Sequence, residues 1–291
     1  MIYVKKLYLK NLTPYLYLLP CFILFFAFKF YPLLKTILLS FQYTDSMSEP
    51  AGFAGWSNYW EILNSPEIQN SILVSISFVA LTVLPSIVIS FFLALAVVKK
   101  QKDNNVYEMM FAATMSISTT TAAMIWMILF HPTAGIINYL LQINLNWMHD
   151  KNVALLAVSI VSVWLHLGIN FIFFLTALRN VPQDILESAV IDGVNPWQKI
   201  LRIVIPMISP AIFFIIFMNL MSSFQAFAQF SVLTEGGPGG ATEVFVLRIY
   251  NDAFVNSRVD RACAESVILF LMMLAVTLIQ FRFENKGVHY S

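Results

Sequence analysis

The chain has 291 residues, of which 59% are hydrophobic and 11% charged, and its mean hydropathy is +0.75. Soluble domains carry about 25% charged residues, so this composition excludes a water-covered globular protein and indicates a chain that faces lipid. The net charge of +1 gives no basis for a nucleic-acid partner. The two cysteines, Cys21 and Cys263, lie in apolar stretches, where a free thiol behaves as a small hydrophobic group.

Six segments are long and apolar enough to cross a membrane, for which a helix needs about 20 residues. The first contains the run Tyr15–Phe28, which follows three lysines as the apolar part of a secretory signal does. No small-x-small cleavage pattern follows it, so we interpret it as a retained first span. The sequence therefore predicts an all-α membrane protein of six transmembrane helices, forming one domain over residues 1–291. The predicted spans are Leu12–Phe41, Asn70–Val98, Met109–Phe130, Val153–Leu178, Met207–Phe230 and Ala262–Phe281.

The positions of the basic residues predict that both chain termini are cytoplasmic, because Lys and Arg are retained on that side. This orientation places eleven basic residues inside and four outside, and the remaining two, Lys29 and Lys35, lie within the first span. The inside set is Lys5, Lys6, Lys10, Lys99, Lys100, Lys102, Arg179, Lys199, Arg202, Arg282 and Lys286, and the outside set is Lys151, Arg248, Arg258 and Arg261. On the outside, the alternation of aromatic and polar residues over Trp56–Leu63 predicts a helix at the membrane interface.

The chain has no sequence feature that could power transport. It lacks a G-x-x-x-x-G-K-[ST] phosphate-binding loop and an H-E-x-x-H zinc motif. The middles of spans two to five hold no Asp, Glu, Lys or Arg; span four has only His166, and span six has Glu265 near its outer end. Proton-driven carriers need such groups in the membrane. We therefore expect no cofactor and no enzymatic activity in this chain, and an energy source outside it.

The cytoplasmic segment between spans four and five carries helix signals over Val181–Ile200. Asp184 and Glu187 have the spacing of a capping box, and Gly193 stands where a helix would end. Asn195 and the proline that follows it are typical of a new helix start. These signals predict two short helices that meet at a glycine. The simplest interpretation is a well-folded connection, but a docking surface accounts better for its length.

This segment carries a family resemblance that extends over nearly the whole chain. Glu187-Ser-Ala-x-x-Asp192-Gly193, followed by Ile203-x-Ile205-Pro206, closely resembles the E-A-A-x-x-D-G-A…I-x-L-P signature of ABC importer permeases, with serine and valine in place of two alanines. The chain is most similar to the sugar-permease family that includes the maltose, lactose and glycerol-3-phosphate importers. Further matching stretches are Phe130–Asn138, Ser162–Trp164, Gly168–Asn170, Ala177–Pro182, Thr234–Thr242, Gln280–Glu284 and Val288–Tyr290.

The resemblance implies a type I importer fold in a bacterial inner membrane, with residues 179–206 as the loop that couples to an ATPase. It implies a second, homologous permease subunit, two cytoplasmic ATPase subunits that use the ATP, an external solute-binding protein and surrounding lipid as partners. Coupling to the ATPase would involve Glu187, Ser188, Ala189, Asp192, Gly193 and Pro206.

A polar stripe along span five is the candidate substrate path. Its residues recur at helical spacing, and the resemblance favours a pore wall for sugar hydroxyls, although interhelical hydrogen bonding is the alternative. The predicted path residues are Asn170 and Phe171 on span four and Asn219, Ser222, Ser223, Gln225 and Gln229 on span five. His166 is a weaker candidate. Because spans two to six hold no central cation, we expect a neutral oligosaccharide or polyol, with glycerol-3-phosphate as the alternative. A channel independent of any ATPase, or a membrane-embedded enzyme, is the competing class.

Overall fold

The computed structural model describes residue 15 and residues 17–44, 50–98 and 104–287, with residues 50, 104, 105 and 283–287 described by their backbone alone. The lysines at positions 5, 6, 10, 99, 100 and 102 and the tail motif at 288–290 lie outside the described residues. The helices, in chain order, are α1 (Tyr17–Leu39), α2 (Ser57–Asn64), α3 (Pro66–Val97), α4 (Asn104–Ala113), α5 (Thr119–Leu129), α6 (Ile136–Leu141), α7 (Ala154–Arg179), α8 (Gln183–Ile191), α9 (Pro196–Met207), α10 (Ser209–Phe224), α11 (Ala228–Leu233), α12 (Phe245–Tyr250) and α13 (Val259–Gly287).

The chain is a helical membrane protein, and its described residues contain up to six spans. Four helices, α1, α3, α7 and α13, are each long and apolar enough to cross a membrane unbroken, and two bent helix pairs bring the number to six if each pair is one span. In the third span the bend is 103°, and between α9 and α10 in the fifth it is 74°. The other regular structure among the described residues is an antiparallel hairpin, β1 (Gln42–Thr44) and β2 (Pro50–Phe53). The predicted fold class is therefore confirmed, and the bends in the third and fifth spans are features that the sequence analysis did not predict.

The described residues form two compact units. The first comprises the described part of Met1–Asn64 and Ile249–Ile268. In it, Asn58 at the start of α2 donates hydrogen bonds to the Ser40 and Gln42 carbonyls, both at 3.0 Å. The predicted helix over Trp56–Leu63 is thus present as α2, and its place at a membrane interface stays a prediction.

A charged cluster lies in the same unit, around Arg261 on α13. The Arg261 side chain lies 2.9 Å from Glu61, 3.3 Å from Asp252 and 3.5 Å from Glu265, and the last two carboxylates are fully buried. Buried charges persist in proteins when they are paired. Arg261 therefore compensates the two buried carboxylates of this unit.

The second unit comprises Ser65–Arg248 and the described part of Leu269–Ser291, and it holds both candidate functional regions. Its core has two apolar clusters. Phe78 and Phe230 meet edge to face in the first, with ring centroids 4.7 Å apart, and Phe91 and Phe174 do so in the second, at 5.4 Å. Aromatic pairs in this geometry add to the stability gained from burial. They fix α3 against α11 in one cluster and against α7 in the other.

Candidate functional site

A cavity of about 450 Å³ lies beside the bend of the third span and the gap between α10 and α11 in the fifth. Its wall combines hydroxyl, amide, imidazole and apolar side chains. The lining residues are Thr114, Met115, Ile117 and Thr119 from the third span, Ser162, Leu165 and His166 from α7, and Ser222, Gln225, Ala226, Phe227, Ala228 and Gln229 from the fifth span. Its volume lies within the range usual for small-molecule sites.

The break in the third span follows from local hydrogen bonding. A short 3₁₀ turn, Thr114–Ser116, ends α4, and Ile117 and Ser118 are extended. The Ser118 hydroxyl accepts a hydrogen bond from the Thr121 N–H at 3.2 Å and so caps α5. Serine and threonine favour helix starts because their side chains compete for backbone groups. The Ser/Thr run from 116 to 121 was the signal for this break, and our reading of an unbroken span missed Thr114 and Thr119.

Gly168 on α7 lets the third span approach the cavity wall. A Cβ at this position would collide with the Thr114 hydroxyl and the Phe111 carbonyl oxygen. Glycine is used where another backbone comes this close. The glycine of the Gly168-x-Asn170 stretch therefore brings Thr114 into the wall.

A second interruption of the fifth span, between α10 and α11, exposes part of the predicted polar stripe. Helix α10 ends at Phe224 and α11 begins at Ala228. Ser222 and Gln225 are exposed at the cavity, while Gln229 is buried in its wall and donates to the Ser162 hydroxyl at 3.3 Å. No proline or glycine stands at the break, so sequence reasoning had no signal for it.

The other predicted path residues lie elsewhere, contrary to the prediction. Asn170 and Asn219 are each 2% exposed and exchange two amide hydrogen bonds, at 3.1 and 2.8 Å, between α7 and α10. The Ser86 hydroxyl of α3 donates to the same Asn219 oxygen at 3.2 Å. Interhelical hydrogen bonding, the alternative interpretation of the stripe, therefore describes these two asparagines.

Two further residues of the predicted path do not line the cavity. Phe171 is fully buried, with its ring centroid 4.7 Å from that of Phe111. Ser223 is buried, and its hydroxyl has no hydrogen-bond partner among the described residues. Of the seven predicted path residues, five on span five and two on span four, only Ser222, Gln225 and Gln229 line the cavity.

The coupling segment has the predicted form of two helices joined at a glycine. Helix α8 ends before Gly193, which has φ +71°, and α9 begins at Pro196. The Asn195 carboxamide oxygen accepts from the Trp197 N–H at 2.9 Å, which confirms the second N-cap. The predicted capping box at Asp184 is wrong: Pro182 is the N-cap and makes no side-chain cap bond. Asp184 lies one residue inside the first turn, where a carboxylate still favours the positive end of the helix dipole.

This segment presents an apolar surface. Ile191 is 86% exposed and Val190 and Trp197 are also exposed. Of the predicted coupling residues, Glu187, Ser188, Asp192 and Gly193 are exposed, Ala189 is buried and Pro206 is half-buried.

Side-chain contacts hold the segment to itself and to the spans. The Lys199 ammonium donates to the Leu186 carbonyl at 3.0 Å, which ties α9 to α8. Trp197 meets Phe92 of α3, with ring centroids 6.3 Å apart. A groove of about 1570 Å³ lies beside α8 and the ends of α3 and α7. An exposed apolar surface on a segment that side-chain contacts hold in place is typical of a protein-docking site.

Comparison with known proteins identifies close relatives of the chain. A family model described as "Binding-protein-dependent transport system inner membrane component" matches residues 71–286. The sn-glycerol-3-phosphate transport system permease protein UgpA of Agrobacterium fabrum (strain C58 / ATCC 33970) is 33% identical over 286 residues, covering 97% of this chain and 98% of that protein. A similar fold occurs in a bacterial ABC transporter involved in the import of the acidic polysaccharide alginate, with a TM-score of 0.84 at 20% identity over 97% of this chain and 98% of that one. It recurs in the bacterial alginate ABC transporter in complex with an alginate pentasaccharide-bound periplasmic protein, with a TM-score of 0.82 at 19% identity over 95% of each chain.

Proposed function

The chain belongs to the family of binding-protein-dependent transport system inner membrane components, and we propose that it forms half of the translocation path of an ATP-driven importer for a carbohydrate or polyol. As a permease subunit it is a multi-pass membrane protein and is not itself catalytic. The observation that carries the proposal is the cavity at the two broken spans, whose wall offers hydroxyl and amide groups beside the Phe227 ring. Such groups match the hydroxyl groups and apolar faces of a sugar or polyol.

The coupling segment is the observation that supports the proposed partner subunits. Its exposed helix α8 docks on a cytoplasmic ATPase subunit, with a second ATPase subunit serving the homologous permease, and ATP is hydrolysed in those subunits. An external binding protein delivers the solute. The excess of basic residues in the predicted inside loops supports cytoplasmic chain termini. The Gly193 turn between α8 and α9 makes the angle of the docking element depend on one backbone position.

A pair of substitutions at Gly193 tests this coupling in the assembled transporter. A Cβ at Gly193 meets no atom within 4 Å, so the strain of Gly193→Val comes from its positive φ alone and costs about 1–2 kcal/mol. Asparagine tolerates this conformation, which makes Gly193→Asn the matched control. We expect Gly193→Val to lower the ATPase stimulation by the loaded binding protein, while Gly193→Asn retains it.

Two results would contradict the proposal. One is wild-type stimulation in the Gly193→Val complex. The other is solute transport by the purified chain without any ATPase subunit, which would favour a channel.

A second candidate substrate is sn-glycerol-3-phosphate, which is favoured by the 33% identity to a sn-glycerol-3-phosphate transport system permease protein. Uptake of radiolabelled sn-glycerol-3-phosphate, glycerol and maltose into proteoliposomes loaded with ATP separates the two candidates. Uptake of the phosphate ester with exclusion of the neutral solutes would select the second.

A further inference from the structure

His166 is the one ionisable side chain among the described residues that line the cavity. The other twelve are threonine, serine, glutamine and apolar residues, without Asp, Glu, Lys or Arg. A proton on the imidazole ring would therefore have no carboxylate in this wall to balance its charge. The protonation of His166 decides whether the wall carries charge at all.

The hydrogen bonds around the ring assign its proton. His166 Nε2 lies 3.1 Å from the Ser222 hydroxyl, and that hydroxyl lies 3.2 Å from the Asn219 carbonyl oxygen, which can only accept. Because a hydroxyl has one hydrogen, both contacts are hydrogen bonds at the same time only if the Ser222 O–H donates to the Asn219 carbonyl and the ring donates to Ser222 through an Nε2–H. His166 Nδ1 is buried and has no hydrogen-bond partner among the described residues. A charged imidazolium has an N–H on both nitrogens, and here the second would be buried and unmatched, which is costly.

We propose that His166 is a neutral, specificity-determining residue that makes this wall select uncharged hydroxylated solutes over phosphate esters. The proposal rests on the proposed function and names the charge class of its substrate. A phosphate monoester carries a charge of about −1.5 to −2 at pH 7. Phosphate sites supply arginine, lysine or free helix N–H groups. Among the described residues that line this wall there is no Lys or Arg.

Two isosteric substitutions test the assigned proton in the assembled complex. The amide nitrogen of Gln reaches the position of His Nε2, whereas that of Asn lies where His Nδ1 does. With uptake measured for whichever neutral probe, glycerol or maltose, the wild type imports, we expect His166→Gln to stay within about 3-fold of wild type. Losing the bond to Ser222 in His166→Asn should lower uptake about 5- to 10-fold. Equal uptake in both variants, or better uptake by His166→Asn, would overturn the assignment.

A third substitution tests the charge selection. His166→Lys places a cation in the wall, so the ratio of sn-glycerol-3-phosphate uptake to neutral-probe uptake should rise about tenfold. Wild-type import of sn-glycerol-3-phosphate in preference to the neutral probes, lost in His166→Gln, would overturn the inference and leave the proposed importer intact.

A spectroscopic measurement tests the inference apart from transport. Solid-state nitrogen NMR on histidine-labelled chain in lipid, with His131, His149 and His289 replaced, should show His166 protonated on Nε2 only at pH 7. A ring protonated on both nitrogens would refute the proposal. If the assembled complex imports no solute, the proposed function fails, and this measurement still decides the state of His166.

Discussion

Two sets of polar side chains lie about one helical turn apart on the fifth span and have different surroundings. Asn219 is buried. Its amide nitrogen donates to Asn170 and to the Ile215 carbonyl, and its amide oxygen accepts from Asn170 and Ser86. Ser222 and Gln225 are exposed at the cavity. The first set holds three helices together, and the second lines the cavity. The difference arises because α10 is packed on both neighbours at Asn219 and ends five residues later. Both sets are polar and follow the same helical spacing, so the path of the helix determines which residues form contacts and which line the cavity.

The largest effect is expected from breaking the amide pair. Asn219→Ala leaves the Asn170 amide buried without its partner and the Ser86 hydroxyl with only the Val83 carbonyl of its own helix, which costs about 1–3 kcal/mol in the free energy of unfolding. Interhelical hydrogen bonds measured in membranes fall near the lower end of this range. Unfolding of the purified protein by sodium dodecyl sulfate in bicelles measures it.

A double substitution is the control for this prediction. Asn170→Leu with Asn219→Leu removes both partners together, so its cost should be smaller than the sum of the two single changes. Unchanged stability in Asn219→Ala, combined with lost transport, would place the asparagines in the substrate path. The two sets would then have the same role.

An intermediate effect is expected at the cavity wall. A net hydrogen bond is worth about 0.5–1.5 kcal/mol, so Ser222→Ala or Gln225→Ala alone should lower transport a few-fold, and the pair about tenfold. Complex yield and basal ATPase activity should not change. Uptake per assembled complex in proteoliposomes is the measurement, and Thr176→Ala is the matched control, since that hydroxyl is exposed on α7 and bonds its own helix at 2.8 Å. Lower yield with normal uptake per complex would make these residues interhelical contacts as well.

Sequence reasoning predicted the coupling segment better than the cavity, for a physical reason. The turn at Gly193 and the cap at Asn195 depend on conformational preferences of single residues. The cavity depends on the interruption of the third span at Ile117 and Ser118, on the gap between α10 and α11, and on the close approach that Gly168 permits. One break has a local cause in Ser118, while the other, at Gln225–Phe227, has no helix-breaking residue. Helical spacing therefore predicted which residues of span five lie on the polar stripe. It could not predict which of them form interhelical contacts and which line the cavity.

The smallest effect is expected at Ser223, which adjoins Ser222 and faces away from the cavity. Its hydroxyl is buried with no hydrogen-bond partner among the described residues, so Ser223→Ala removes a desolvated polar group. Stability should change by no more than about 0.5 kcal/mol or rise slightly, and uptake should equal that of the wild type.

Single cysteines in a background with Cys21→Ser and Cys263→Ala extend the comparison. Cysteine at 222 or 225 should react with a water-soluble thiol reagent and be protected by substrate, while cysteine at 223 should stay inert. Reaction at 223 with inertness at 222 and 225, in ATP-free and ATP-bound complexes alike, would reverse the assignment. The two adjacent serines then measure how sharply the end of α10 separates the packed side of the helix from the side that meets the solute.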